Sequence, residues 1–200
     1  FEIARDRPGQ RNNSLAKMTG SQFVAETIKS YGVDHIFFVP AVLYQLLSDF
    51  EKIGGKAIMA HSEKSAAYMA DGYARVTGKP GVCLTSTGPG AANSMGGMGE
   101  AYFASSPLLH ITSTAEEHLY ERGLGTIHET KDQLGMFATV AQQCYHISHP
   151  EETPARIHQA FECFRSRRPR PIEIEIPVDL QGQIADMDIP GPVQISAPAA

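Results

Sequence analysis

The stretch EKSAAYMADGYARVTGKPGVCLTSTGPGAAN, residues 63–93, contains a helix, a strand and a turn in close succession. Alanines recur on neighbouring turns of residues 63–77, which predicts a helix that lies close against a sheet. Gly78 ends this helix, and Pro80 prevents its continuation. The apolar run at residues 81–86 predicts a buried strand, and the Thr-Gly-Pro-Gly of residues 87–90 predicts a tight turn into another helix. This order of elements is typical of an α/β domain.

The same alternation continues on both sides of this stretch. Short apolar runs and helical periodicity predict further strands at residues 35–39, 57–60, 107–112 and 171–179, and helices at residues 19–31, from Pro40 to about residue 53, and around residues 157–164. In PIEIEIPVD, residues 171–179, isoleucine alternates with glutamate, which predicts a half-exposed strand near a sheet edge. The pattern as a whole predicts an α/β fold, with a parallel sheet of about six strands and helices on both faces.

The chain has 200 residues, close to the size of one domain. We interpret residues 1–17 as a flexible leader and residues 18–180 as the domain. Residues 181–200 are rich in Pro, Gly and Ala, and we interpret them as a linker to a central domain that this chain lacks. Residues 113–130 have poor periodicity, which leaves two interpretations open, a functional loop or a mobile one.

Composition narrows the expected partners and location. The formal net charge of −5 gives no electrostatic reason to expect nucleic acid or an anionic membrane as partner. The 3 cysteines are odd in number and far apart, which favours a reducing cytoplasm over a disulfide framework. His146 and His149 are close in sequence but have no third ligand at a suitable spacing, so we expect no metal site in this chain.

Glu63 lies just after a predicted strand, in the first turn of a predicted helix. A carboxylate there interacts favourably with the helix dipole and can accept capping hydrogen bonds, so the simplest interpretation of a lone glutamate is a helix cap. Residues 86–93 suggest a phosphate cradle, but they lack the lysine of a P-loop and the glycine spacing of a dinucleotide fingerprint. We therefore interpret them as a tight strand-to-helix turn.

Two segments, residues 63–82 and 87–93, together resemble the acetolactate synthase and pyruvate oxidase group of thiamin-diphosphate enzymes. The resemblance covers residues 18–180 and identifies them as the pyrimidine-binding domain of that group. It also changes the interpretation of Glu63 from a cap residue to a catalytic one. The matched order continues through Ala101-Tyr102, Ser105, Pro107, Glu129 and the segment 176–179.

The resemblance implies that this domain holds the aminopyrimidine ring of thiamin diphosphate. A separate domain, absent from this chain, is implied to bind the diphosphate through Mg²⁺, and FAD is an option for the absent central domain. The family glutamate matches Glu63, whose carboxyl group is then implied to hydrogen-bond the ring nitrogen N1′ and to favour the imino tautomer. The cofactor acts as an electron sink when a 2-oxo acid loses CO₂. We expect Glu63 to be the single buried acid of the domain.

Further site residues are implied by the same resemblance. His128 falls where the family often has a glutamine that faces the reaction centre, and it is a second catalytic candidate. The cofactor-binding candidates, besides Glu63, match family positions in or near the pyrimidine pocket and are Pro40, Ala41, Thr87, Pro89 and Asn93.

Several positions depart from the family pattern. The Gly-Val-Pro-Gly that the family has after the first strand is here Phe38-Val39-Pro40-Ala41. Ser62 stands where a histidine usually precedes the glutamate, and Ala104 stands where the family has an aspartate. These departures leave the substrate open.

The expected function is the first domain of an enzyme that decarboxylates a 2-oxo acid and transfers or condenses the resulting acyl group, with this chain inactive by itself. Two alternatives stay open: a short subunit of a two-chain 2-oxo-acid decarboxylase, and a noncatalytic binding module of the same fold. The resemblance implies a homodimer or homotetramer whose active site forms between subunits. We therefore expect a partner chain to cover an apolar surface near residues 91–107.

Overall fold

A computed structural model describes residues 16–40 and 42–187. The strands are β1 (Ala16–Thr19), β2 (His35–Phe38), β3 (Lys56–Met59), β4 (Gly81–Thr85), β5 (Leu108–Thr114), β6 (Gln143–His146), β7 (Ile172–Pro177) and β8 (Ile184–Met187). The α-helices are α1 (Gly20–Ser30), α2 (Tyr44–Lys52), α3 (Glu63–Thr77), α4 (Pro89–Ala104), α5 (Gln133–Phe137) and α6 (Glu152–Ser166). Short 3₁₀ helices lie at Glu117–Leu119 and Val178–Gln181.

Six of these strands form one parallel sheet in the order β3-β2-β4-β5-β7-β6. The predicted α/β fold with a sheet of about six strands is confirmed. Because all the strands are parallel, their carboxyl ends meet at one edge of the sheet, where the loops and the helix N-termini that follow them collect.

Helices cover both faces of the sheet, as predicted. One face packs large apolar side chains from α1, α2 and α6, including Ile28, Phe50 and Phe161. The other face packs α3, α4 and α5 through small residues, and a Cβ at Gly97 of α4 would overlap Ala67 of α3. The small residues of α3 and α4 therefore let the two helices lie close together against the sheet.

Local signals set the ends of these helices. Thr19 caps α1, accepting from the backbone N–H of Gln22, while the Gln22 side chain accepts from the backbone N–H of Thr19. Gly78 ends α3 with φ of +69°, the left-handed conformation that glycine adopts without steric cost. Both ends agree with the prediction from sequence.

The predicted edge position of the strand at residues 171–179 is wrong. β7 lies between β5 and β6 and is buried along its whole length, including Glu173 and Glu175, which are both 0% exposed. The alternation of isoleucine and glutamate does separate two faces, but protein rather than water covers the glutamate face. The strand at this edge of the sheet is β6, whose mixed sequence gave no strand signal.

The predicted start of the second helix is also displaced. Pro40 lies in a bend and α2 begins at Tyr44, because Leu43 has the non-helical dihedrals of a cap position. The loop predicted at residues 113–130 begins two residues later than expected, since β5 extends to Thr114.

Two short strands lie at either end of the described chain. β1 and β8 pair antiparallel, with Ala16 opposite Met187 and Thr19 opposite Ile184. Strand pairing therefore continues into the segment that we interpreted as a linker. Residues 1–15 of the predicted leader and residues 188–200 of the predicted linker lie outside the described residues. Within residues 16–40 and 42–187, each helix is too short or too polar to cross a membrane.

Candidate active site

Three chain segments leave the carboxyl edge of the sheet side by side. Pro40 follows β2, Glu63 follows β3 and Thr87 follows β4, and β2 lies between the other two strands. After β2 the chain runs outward to β3 and then crosses back to β4, so the direction of winding reverses at β2. In open parallel sheets such a switch point forms the crevice in which ligands bind.

Glu63 is the first residue of α3 and is only partly buried. Its N-cap, Ser62, accepts a hydrogen bond from the backbone N–H of Ser65 at 3.1 Å, so the helix is capped without the Glu63 carboxylate. That carboxylate accepts instead from Asn93 on α4, with 3.1 Å between Nδ2 and Oε2. The N-terminal turns of two helices therefore meet at one carboxylate.

The expectation that Glu63 is the single buried acid is wrong for this chain. The side chains of four other acids have much lower exposure: Asp49, Asp71, Glu173 and Glu175. Glu63 lies at the rim of the sheet, on the first turn of α3, beside Gly90 and Asn93 of α4. This position leaves one side of the carboxylate open to the crevice.

The turn between β4 and α4 approaches Glu63 closely. Gly88 has φ of +60° and ψ of −114°, and a Cβ there would overlap the carbonyl oxygen of His128, so the position requires glycine. A Cβ at Gly90 would lie 3.3 Å from Glu63 Oε1. The two glycines thus let the loop of His128 and the carboxylate of Glu63 lie against opposite ends of one turn.

A residue that the sequence interpretation missed holds this turn. Gln133, 7% exposed at the start of α5, accepts through Oε1 from the Thr87 hydroxyl at 3.0 Å and from the Gly88 N–H at 2.8 Å. Its Nε2 donates to Thr112 Oγ1 and to the Ser113 carbonyl, both at 3.2 Å. No sequence signal marks a glutamine 45 residues away as the partner of Gly88.

His128 lies against the same turn through its backbone, while its side chain is exposed. Ile127 and His128 both have positive φ, +33° and +59°. Glu129 stabilises this strained segment, because its carboxylate accepts from the N–H groups of Gly123 at 2.9 Å and Gly125 at 2.7 Å. These hydrogen bonds hold the pKa of Glu129 below its ordinary value.

The predicted site residues fall into different surroundings. Thr87 is buried, whereas Pro40, Pro89 and Asn93 are exposed. Ala41 lies outside the described residues. The structure joins Asn93 to Glu63 directly, and it brings the His128 backbone to the turn that follows Thr87.

A fully buried polar cluster lies behind the turn, on β5 and β7. His110 Nδ1 and Glu173 Oε2 share a hydrogen bond, and Thr112 donates to Glu173 Oε1 at 2.5 Å. Thr85 and His110 Nε2 lie 3.2 Å apart. Burial raises the pKa of Glu173 despite these partners. All four side chains are 0% exposed, so their polar groups are satisfied by one another rather than by water.

A second cluster attaches the loop after β5 to the sheet. His146 lies 2.8 Å from Glu117 and 3.3 Å from Glu175, and the ring of Tyr120 stacks on it at 3.9 Å between centroids. Burial lowers the pKa of His146, but hydrogen bonds to Glu175 and Glu117 outweigh burial and leave this pKa above its ordinary value. Within residues 16–40 and 42–187, no three His, Cys, Asp or Glu side chains are arranged to hold a metal ion.

A family model and the similar proteins found by comparison agree on one family. The family described as "Thiamine pyrophosphate enzyme, N-terminal TPP binding domain" matches residues 18–136. A probable 2-ketoarginine decarboxylase of Pseudomonas aeruginosa is 40% identical over 164 residues, 82% of this chain and 29% of that protein.

Two acetolactate synthases are also similar. A probable large subunit from Methanocaldococcus jannaschii is 34% identical over 90% of this chain and 30% of its own length. The large subunit of Lactococcus lactis is 35% identical over 81% of this chain and 28% of its own length. The chain therefore spans less than a third of the length of each of these relatives.

Proposed function

Because the chain belongs to the thiamine pyrophosphate enzymes, as their N-terminal cofactor-binding domain, we propose that it forms the pyrimidine side of a 2-oxo-acid active site. The complete enzyme decarboxylates a 2-oxo acid and transfers or condenses the acyl group that remains. The observation that carries this proposal is the Glu63 carboxylate, oriented by Asn93 at the switch point of the sheet.

The residues at this point fit an aminopyrimidine ring. Oε2 of Glu63 is engaged by Asn93, while Oε1 faces Gly90, where the absence of a side chain leaves room beside the carboxylate. A ring nitrogen needs one carboxyl oxygen within hydrogen-bond reach, and Glu63 is exposed enough to offer it. When bound, thiamin diphosphate supplies the electron sink for loss of CO₂.

The candidate site residues named below have separate roles in this proposal. Glu63 holds and exchanges a proton at Oε1, and Asn93 fixes the orientation of its carboxyl group. Pro40 and Pro89 are rigid and exposed, and they form walls of the crevice. His128 is exposed, and we assign its side chain to the side of the crevice that faces the reacting substrate. Ala41, which lies outside the described residues, is a further candidate wall.

The diphosphate end of the cofactor requires groups other than these. We place its Mg²⁺ site, and an FAD site if the enzyme has one, in the part of the relatives' length that this chain does not span. The relatives are about three times as long as the matched region, which supports a multidomain or multisubunit enzyme. The free cysteines Cys83, Cys144 and Cys163 support a cytoplasmic location.

A partner surface is proposed on α3 and α4. Val76 and Phe103 are 87% and 82% exposed, and Tyr68 and Met69 add partly exposed apolar area on α3. Large apolar side chains grouped on neighbouring helices are typical of an interface. We expect a homodimer or homotetramer, and analytical ultracentrifugation that shows only monomer at every concentration would contradict this.

The 40% identity to a probable 2-ketoarginine decarboxylase favours one specific version of the function. In this version the enzyme decarboxylates a 2-oxo acid that carries a guanidinium group and releases the aldehyde, without condensing two substrates. The acetolactate synthase version predicts instead that two molecules of pyruvate are joined.

One experiment tests both versions. The full-length protein is supplied with thiamin diphosphate and Mg²⁺ and with pyruvate, 2-oxobutanoate or 5-guanidino-2-oxopentanoate, and CO₂ and organic products are measured. Aldehyde from the guanidino acid supports the decarboxylase, and acetolactate from pyruvate supports the synthase. A folded, cofactor-loaded protein that releases no CO₂ from any 2-oxo acid would contradict the proposal.

A further inference from the structure

Gln133 connects two segments that are far apart in sequence. Its Oε1 faces the turn between β4 and α4, where it accepts from Thr87 Oγ1 and the Gly88 N–H. Its Nε2 faces the end of β5, where it donates to Thr112 Oγ1 and the Ser113 carbonyl. All four hydrogen-bonding positions of the amide are therefore used inside the protein.

These partners fix which way the amide points. The Gly88 backbone N–H can only donate, so the atom opposite it must be the oxygen, and the Ser113 carbonyl can only accept, so the atom opposite it must be the nitrogen. A methionine at position 133 fills a similar volume but offers neither group. A glutamate offers acceptors to the turn but cannot donate to the Ser113 carbonyl when it is ionised.

The sheet side of this connection is rigid. Thr112, which accepts from Gln133, donates in turn to Glu173, and Glu173 is hydrogen-bonded to His110. These three residues lie on the adjacent strands β5 and β7 and are 0% exposed. Gln133 thus ties the turn to the interior of the sheet rather than to another loop.

The crevice side of the connection leads directly to Glu63. Gly88 is followed at once by α4, whose fifth residue, Asn93, donates to Glu63 Oε2 at 3.1 Å. Gly90 on the first turn of α4 lies beside Glu63 Oε1. A displacement of the turn at Gly88 would therefore move both groups that define the position of the carboxylate.

We propose that Gln133 is a positioning residue, which holds the Thr87–Gly88 turn so that α4 presents Gly90 and Asn93 to Glu63. The effect on the cofactor rests on the proposed function, since it assumes that Glu63 binds the pyrimidine ring. The hold on the turn itself does not depend on any cofactor.

The test compares Gln133→Met and Gln133→Glu with the unaltered full-length protein. Hydrogen–deuterium exchange without cofactor reports the turn, in peptides that span residues 86–93, with peptides from α2 as internal reference. Calorimetry with Mg²⁺ then gives the dissociation constant of thiamin diphosphate. The control is Gln159→Met, the same substitution at an exposed position on α6, where the glutamine side chain accepts from Arg156.

We expect Gln133→Met to speed exchange in residues 86–93 and to weaken cofactor binding, each by about tenfold or more, because the buried Gly88 N–H loses its acceptor. Gln159→Met should change neither by more than about twofold. For Gln133→Glu, the exchange rate and the dissociation constant should lie between those of the unaltered protein and those of Gln133→Met, because glutamate keeps the acceptors for the turn. A packing role alone predicts the reverse order, because methionine is the better apolar filler.

Two results overturn the proposal. The first is unchanged exchange and cofactor affinity in Gln133→Met, and the second is faster exchange and weaker cofactor binding in Gln133→Glu than in Gln133→Met. If Gln133→Glu does not fold, Thr112→Val replaces it, because it removes an acceptor on the sheet side and should still speed exchange at residues 86–93. If the unaltered protein binds no thiamin diphosphate, the proposed function fails, while the exchange result still decides whether Gln133 holds the turn.

Discussion

Two carboxylates in this chain have opposite surroundings. Glu63 lies at the rim of the sheet, is partly exposed, and has one partner from another helix. Glu173 lies in the interior of the sheet, is 0% exposed, and has partners on the neighbouring strand. The rim leaves a carboxyl oxygen for a ligand, whereas the interior uses both oxygens within the protein. We therefore expect substitutions at the rim to change activity and substitutions in the interior to change stability.

The largest effect is expected at the rim. Glu63→Gln keeps a hydrogen-bonding oxygen but cannot exchange a proton, so kcat should fall about 10²- to 10⁴-fold. Steady-state kinetics of the full-length protein measure this, and thermal denaturation should show little change because Glu63 is partly exposed. The matched control is Glu51→Gln on the exposed side of α2. Normal turnover in Glu63→Gln would mean that the rim carboxylate has no catalytic role.

The interior should respond in the opposite way. Glu173→Met leaves His110 buried beside an apolar side chain, and it should lower the free energy of unfolding by about 3 to 5 kcal/mol. His110→Leu should have a similar effect, and the double variant should lose less than the sum of both, because neither member of the pair is then left buried without the other. Urea denaturation measures all three, and additive losses would show that the two residues do not act as a pair.

A smaller effect is expected where rim and interior meet, at Gly88. Gly88→Ala places a side chain at φ of +60° against the His128 carbonyl, which should cost about 1 to 3 kcal/mol of stability and also reduce activity. Gly72→Ala is the control, since Gly72 is an exposed position in α3 with open space around it. That change should instead stabilise the protein by about 0.5 to 1 kcal/mol. Equal effects of the two substitutions in urea denaturation would contradict this account.

The smallest effect concerns pH, at the second cluster. The pKa of His146 is raised in the folded protein, so protonated His146 stabilises the fold below its unfolded pKa, and this contribution is lost as pH rises through the folded pKa. His146→Gln should remove that part of the pH dependence. Melting temperatures of both proteins between about pH 5 and pH 8 test it, because an unperturbed histidine titrates near 6.5. Parallel curves would show that Glu117 and Glu175 do not stabilise the charged ring.

The sequence predicted the elements that have a clear period. The helix 63–77 and the strand 81–86 were recognised from small residues, Gly78 and an apolar run, and the structure confirms both within a residue. β6 was missed because its four residues, Gln143–His146, are mixed in polarity and partly exposed. β7 was placed at an edge because alternating glutamates indicate a polar face without revealing what that face contacts.

The residues of the candidate site were also predicted only in part from the sequence. Glu63 and Asn93 were found because the residues around them match a family pattern, and the structure joins them at 3.1 Å. Gln133 was not found, since its partners lie 20 to 46 residues away in the chain. Burial of Glu63 was predicted wrongly because position in a helix does not reveal which other elements cover its first turn.

By itself, then, the sequence determined the α/β class, the order of most elements and the identity of the rim carboxylate, because these follow from short-range periodicity and from contiguous motifs. Only the tertiary structure decided which acids are buried and which side chains hold the turn beside Glu63. Those properties depend on pairing between strands and on contacts between distant segments. His110 meets Glu173 only when β5 pairs with β7, and Gln133 meets Gly88 only when α5 packs against the turn after β4.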